Sequence, residues 1–241
     1  MRFCSNVIVL RTFIFSDTKM MVDTLSREEG RMSCVLSVGT SKKSKWKRQI
    51  FQPLSILELE LERKTPGQIA VIKDAHIAIP FTSIPFQPYK LTISIFLAEF
   101  LSNATRSEQD TALLYDYISE SIQWLDSVVE GFSNFHLVFM MRLTKFIGFY
   151  PNIEDYSDGC SFDLQNGCFT KLAPQQRGFL NSEDTKKMQL IMRMNYETMR
   201  LFKMSHADRN RCLDVILDFY RLHVPDFREM KSLPVLRDMF S

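Results

Sequence analysis

Along the first eighty residues the apolar positions fall in short β-branched runs or alternate with polar ones. Residues 7–15 are apolar and β-branched, interrupted by Arg11 and Thr12, and residues 19–26 form a second such run. The polar stretch Arg27-Glu28-Glu29 and Gly30 read as a tight turn before a third run, 31–38, which Gly39 closes. Leu57-Glu58-Leu59-Glu60-Leu61-Glu62 alternates strictly. Period two places every leucine on one face and every glutamate on the other, the pattern of a half-buried strand. Pro66-Gly67 signals a further turn, and residues 68–79 give a fifth strand that Pro80 ends.

Five short strands with turn chemistry between them predict a small closed or sandwiched β domain over residues 1–80. A five-stranded OB-fold barrel has this size and strand count. An SH3-like barrel competes with it. Prolines at 80, 85 and 88 predict a linker, because proline disfavours helix at its own position and at the one before. Beyond them the period changes to that of helices. Leu91, Ile95, Ala98 and Leu101 share one face. Asp110 opens a stripe of Leu113, Leu114, Tyr117, Ile118, Ile122, Leu125 and Val129, with Gly131 as its stop. Residues 134–147 predict a helix apolar on most sides and hence central to its domain. Residues 148–174 read as irregular. A methionine-rich helix starts at Ser182-Glu183-Asp184, another covers 205–223, and a short one lies around 235–240. The expected architecture is α+β and multidomain: a barrel over 1–80 and an all-α domain over 81–241.

The chain has 241 residues and a formal net charge of +2, which suggests no partner. Split at the proline segment, the balance becomes +5 for 1–80 and −3 for 81–241, as expected for two regions with different partners. The chain lacks the roughly 20 consecutive apolar residues of a spanning helix. Arg11 breaks the apolar run at 7–10 before it reaches the length of a signal-peptide core. Five widely spread cysteines suit a reducing compartment, so the chain reads as cytoplasmic.

The most concentrated chemistry is Thr40 to Arg48, where Lys42, Lys43, Lys45, Lys47 and Arg48 surround Trp46 with no anion. Such a loop neutralises phosphates and offers an aromatic face for stacking on a base. A solvated loop with Trp46 folded back is the plain alternative. Arg11 and Arg31 extend the patch if they share its face. In the helical half Arg142 stands in an apolar helix with Lys145 next to it, suited to capture a peptide carboxylate or to pair internally. Cys160 and Cys168 are separated by seven residues, without the close pairs of a structural zinc site, so no cofactor is expected. Glu154, Asp155 and Asp158 could hold a hard cation but read more simply as a solvated loop. Phosphate-loop, dinucleotide, zinc-protease and nucleophile-elbow motifs are absent.

The order of these features resembles the RecO family of bacterial recombination mediators. The residues that carry the likeness are Val7-Ile8-Val9-Leu10-Arg11-Thr12-Phe13, Ser16-Asp17 and Leu25-Ser26-Arg27-Glu28-Glu29-Gly30-Arg31. Phe51-Gln52-Pro53-Leu54 before Leu57-Glu58-Leu59 also matches, as does Phe139-x2-Arg142-Leu143-x4-Gly148-Phe149-x-Pro151. The resemblance spans nearly the whole chain and rests on order and spacing. It implies an N-terminal OB-fold, a C-terminal helical domain and no enzymatic turnover. The implied partners are single- and double-stranded DNA, RecR, the C-terminal tail of single-strand-binding protein (SSB) and, less directly, RecF and RecA. No membrane is implied, and the implied location is the bacterial cytoplasm, at the nucleoid. Many members carry four zinc-binding cysteines after the Gly-Phe-x-Pro turn; here residues 149–174 keep only Cys160 and Cys168, so the family's zinc is not carried over.

The resulting expectation is a DNA repair and recombination mediator that anneals strands and, with RecR, helps load RecA onto SSB-coated DNA. Arg11, Arg31, Lys42, Lys43, Lys45, Lys47 and Arg48 would contact phosphates and Trp46 would stack. Arg142 and Lys145 would hold the SSB tail. The alternatives are a protein-interaction adaptor, which would not bind DNA, and a metal-dependent nuclease using the carboxylates at 154–158.

Overall fold

The structure is a computed structural model that describes residues 1–39, 48–65, 68–106, 108, 111–171 and 178–239. Five strands close a barrel in the order β1-β2-β3-β5-β4: β1 (Arg2–Ser16), β2 (Lys19–Ser26), β3 (Gly30–Ser37), β4 (Ile56–Glu62) and β5 (Ala70–Ile79). All pairings are antiparallel except β3 with β5. The OB-like barrel expected from the five runs is therefore present. Gly30 takes φ +67° at the β2–β3 turn, a conformation that glycine adopts without a Cβ clash.

The barrel interior holds Val7, Val9, Met20, Val22, Cys34, Leu36, Leu57, Leu59, Leu61 and Ile72. Leu57, Leu59 and Leu61 point inward while Glu58 and Glu60 are exposed, as strict alternation requires. The unbroken run at 7–10 has a different cause. Val7 and Val9 face the interior, and Ile8, on the opposite face, is buried beside its cross-strand neighbours Leu25 and Ile56. Helix α1 (Pro88–Ala104) packs on β1, so β1 is covered on both sides there.

The chain forms two compact units, Met1–Ser127 with Met230–Leu236, and Val128–Glu229 with Arg237–Ser241. The proline segment thus lies inside the first unit. It is tied down by α2 (Ala112–Ser127). The Asp126 carboxylate accepts the backbone N–H groups of Thr82, Ser83 and Ile84, each at 2.8 Å, and the Thr82 hydroxyl at 3.1 Å. Lys90, fully buried, donates to Ser83 Oγ at 2.7 Å and to the Asp126 carbonyl at 3.0 Å. The stripe expected on α2 is realised by Leu114, Ile118, Ile122 and Leu125, whereas Leu113 and Val129 are exposed. The helix ends at Ser127, before Val129 could join the stripe.

The second unit is built on α3 (Phe135–Leu143), whose residues are buried all round except Arg142. Tyr220 of α5 (His206–His223) donates its hydroxyl to the Met140 carbonyl at 2.7 Å. The methionines act as core: Met188 and Met192 of α4 (Ser182–Arg193) and Met194 and Met199 beyond it are all buried. Asn181 caps α4 by accepting the Asp184 N–H at 2.9 Å. The short α6 (Leu233–Met239) closes the chain. The segment expected to be irregular contains a hairpin, β6 (Ser161–Asp163) and β7 (Cys168–Thr170), turned at Gly167 with φ +62°.

Candidate nucleic-acid interface

Pairing of β1 with β4 stops at Ile8–Ile56, while pairing with β2 continues to Ser16. The β1–β2 hairpin therefore extends past the covered part of the barrel. A register shift between Val9 and Arg11 marks the change, and every residue from Arg11 to Lys19 is exposed. Phe13, Ile14 and Phe15 are 37%, 63% and 68% exposed. The Arg11 guanidinium lies 4.8 Å from the Phe13 ring centroid. Arg11 sits opposite Asp23, and Asp23 opposite Ser33, whose hydroxyl donates to the Asp23 carboxylate at 2.7 Å. Val35 and Val71 continue this outer face on β3 and β5, with Val71 and Ile69 exposed. Exposed aromatic rings beside a cation on a sheet face provide the stacking and charge that single strands require.

Arg11 is exposed on this face. Arg48 is exposed; its carbonyl accepts the Phe51 N–H at 3.3 Å, and Ile50 and Phe51 plug the barrel interior. Lys42, Lys43, Lys45, Trp46 and Lys47 lie outside the described residues. Arg31 is half-buried and lines a cleft at the β3–β5 seam. Burial pulls its pKa below the usual arginine value; Asp23 opposes this and Arg106 adds to it. The sequence reading missed Phe13, Ile14 and Phe15, because apolar residues in a strand are counted as core.

In the second unit Arg142 ends α3 with its guanidinium 5.8 Å from the Tyr196 ring centroid, and the Lys145 ammonium lies 4.4 Å from the Tyr150 ring. Burial pushes the Tyr150 phenol pKa up, and the charge of Arg142 opposes it. Among the described residues Arg142 forms no ion pair with a carboxylate, contrary to the internal pairing considered from sequence. Phe146 and Tyr150 are partly exposed beside these cations.

Among the described residues no three His, Cys, Asp or Glu side chains converge as a metal site, and this covers Glu154, Asp155 and Asp158. Cys160 is buried, and burial raises the Cys168 thiol pKa, helped by Asp163 and Asp155. The hairpin is instead packed by aromatic edges: Phe162 meets Phe169 at 5.0 Å and Phe219 at 6.0 Å, and Tyr156 meets Phe169 at 5.2 Å. The four-cysteine site does not fit these residues.

The family model for Recombination protein O N terminal matches residues 1–81, and that for Recombination protein O C terminal matches residues 85–234. The chain belongs to the RecO family. It is 49% identical to the DNA repair protein RecO of Phocaeicola vulgatus over 97% of both chains. It is 44% identical to that of Bacteroides fragilis over 97% of both, and 30% identical to that of Flavobacterium johnsoniae over the full length of both. Family membership and the closed barrel agree with the OB-fold and the DNA repair role that the motif order implies. Among the described residues no helix is long and apolar enough to cross a membrane.

Proposed function

We propose that the protein is a non-catalytic recombination mediator, working without bound zinc in the bacterial cytoplasm at the nucleoid. It binds single- and double-stranded DNA on the open outer face of its barrel, anneals strands, and acts with RecR, and with RecF in some settings, to load RecA onto SSB-coated DNA. The observation that carries the reading is the exposed hairpin, where Arg11 lies over Phe13 with Ile14 and Phe15 beside it. The basic stretch Lys42, Lys43, Lys45, Trp46, Lys47 and Arg48 follows β3 in sequence and supplies further phosphate contacts. Arg142 and Lys145, held over aromatic rings in a partly exposed apolar setting, favour the acidic tail of SSB as the partner of the second unit.

The test is fluorescence titration of labelled single strands across a range of salt. Each phosphate contact contributes about 0.7 to the slope of log K against log salt for single strands. Arg11→Ala should reduce the slope by about that amount. Phe13→Ala and Phe15→Ala should weaken binding about 10-fold or more at fixed salt and leave the slope unchanged, because stacking is worth ~1–3 kcal/mol per base. Alanine at all five cations from Lys42 to Arg48 should lower the slope most. Unchanged affinity and slope in all of these variants would refute the reading.

A further inference from the structure

A cleft of about 420 Å³ opens on the barrel where β3 meets the end of β4 and the start of β5. Its cause is the register. Parallel pairing of β3 with β5 begins only at Cys34–Ala70, so Arg31, Met32 and Ser33 have no strand partner on that side among the described residues. Arg31, Ser33, Arg63 and Gln68 line the cleft, with Glu29 at one side.

Both arginines are unusual. Arg31 Nη1 and Arg63 Nε are buried and have no hydrogen-bond partner among the described residues. Arg63 pairs through Nη1 with Glu29 at 2.7 Å and lies 4.6 Å from the Phe3 ring centroid, so its position is fixed while one donor stays unused. Among the described residues Arg31 forms no ion pair, and Asp23, whose charge attracts it, already accepts the Ser33 hydroxyl. The large majority of buried side-chain polar atoms are paired, so two unused guanidinium donors around one cleft call for an acceptor. A guanidinium presents its donors in a planar fork that matches the oxygens of a phosphate.

The cleft is continuous with the open face. Cross-strand pairing runs Arg11–Asp23–Ser33 across β1, β2 and β3, and Ser33 lines the cleft. We infer that the cleft between β3, Arg63 after β4 and Gln68–Ala70 at the start of β5 is a phosphate subsite, in which Arg31 and Arg63 bind an internal phosphodiester of a strand lying on the open face. This rests on the DNA-binding reading above and assigns one phosphate of the strand to one place.

The full chain, titrated with labelled oligothymidylate lacking terminal phosphates, tests this across salt. Arg31→Met and Arg63→Met should each weaken binding about tenfold at low salt and reduce the salt slope by about 0.7. Arg31→Lys should keep the slope and lose part of the affinity, since the charge remains and the fork does not. The melting temperature of Arg31→Met should match or exceed the wild type, because a buried donor without a partner is removed. Wild-type affinity and slope in Arg31→Met and Arg63→Met, while Arg11→Ala is weakened, would overturn the cleft and leave the DNA-binding reading standing. A melting loss in Arg31→Met with unchanged binding would mark the arginine as structural and also overturn it. Arg31 dependence seen only with a 5′-phosphorylated strand, or abolished by millimolar inorganic phosphate, would replace the internal diester by a terminal or free phosphate. A wild type that binds no strand overturns both.

Discussion

Asp126→Ala should destabilise the first unit more than its half-exposed position suggests. The carboxylate accepts three backbone N–H groups and the Thr82 and Ser83 hydroxyls. Hydrogen bonds to a charged group contribute about 1.5–3 kcal/mol each, and water can replace part of them at the exposed Thr82. Counting only the Ser83 and Ile84 N–H groups at the lower end gives a net loss of about 3 kcal/mol. With a urea slope of about 3 kcal/mol/M, the unfolding midpoint falls by about 1 M. Trp124, two residues away on α2, supplies the fluorescence signal, and Trp46→Phe removes the other indole. Burial raises the Asp126 pKa, but the Thr82, Ile84 and Ser83 donors outweigh it and hold the carboxyl below the usual aspartate range. A depressed folded pKa stabilises above the unfolded value, about 3.9, and that contribution is lost as pH falls through the folded value. The gap between wild type and Asp126→Ala should thus be full at pH 7 and narrow below about pH 4. A loss under about 0.5 kcal/mol, the range of an ordinary surface substitution, would refute the reasoning. So would a gap that stays constant from neutral pH into strong acid.

Two further outcomes concern the second unit. Dialysis against a strong chelator should leave the melting temperature unchanged within about 2 °C, the shift that 1 kcal/mol gives in a chain of this size; a larger fall, reversed by zinc, would show that Cys160 and Cys168 hold a metal. Arg142→Glu should weaken binding of an SSB tail peptide about tenfold or more, since a charge-assisted contact becomes repulsive; equal affinity for wild type and variant would remove Arg142 from that role.

The strands could be read from sequence where one local rule decides the outcome. Strict alternation put Leu57, Leu59 and Leu61 inside, and no distant partner could change that. The β6–β7 hairpin escaped because three-residue strands are too short to show a period, and its glycine turn looked like loop chemistry. The proline segment read as a linker because proline statistics are local. Its anchor, Asp126, lies more than forty residues away.

The functional face shows the same limit in sharper form. The basic stretch at 42–48 stands out because charge is visible without a fold. Phe13 and Phe15 do not stand out, because an aromatic in a strand has two opposite meanings. It is core where a neighbouring strand and helix cover it, and it is a stacking surface where they do not. What separates the two is where β4 stops pairing with β1, at Ile8–Ile56, and where the cover of α1 ends. Arg31 makes the converse case: alternation places it on the outer face with Ser33, but the late start of β3–β5 pairing turns that stretch of face into a cleft. Phe13, Phe15 and Arg31 acquire their chemistry from the length of a non-local pairing, and the affinities of Phe13→Ala and Phe15→Ala and the salt slope of Arg31→Met measure whether these residues meet the strand.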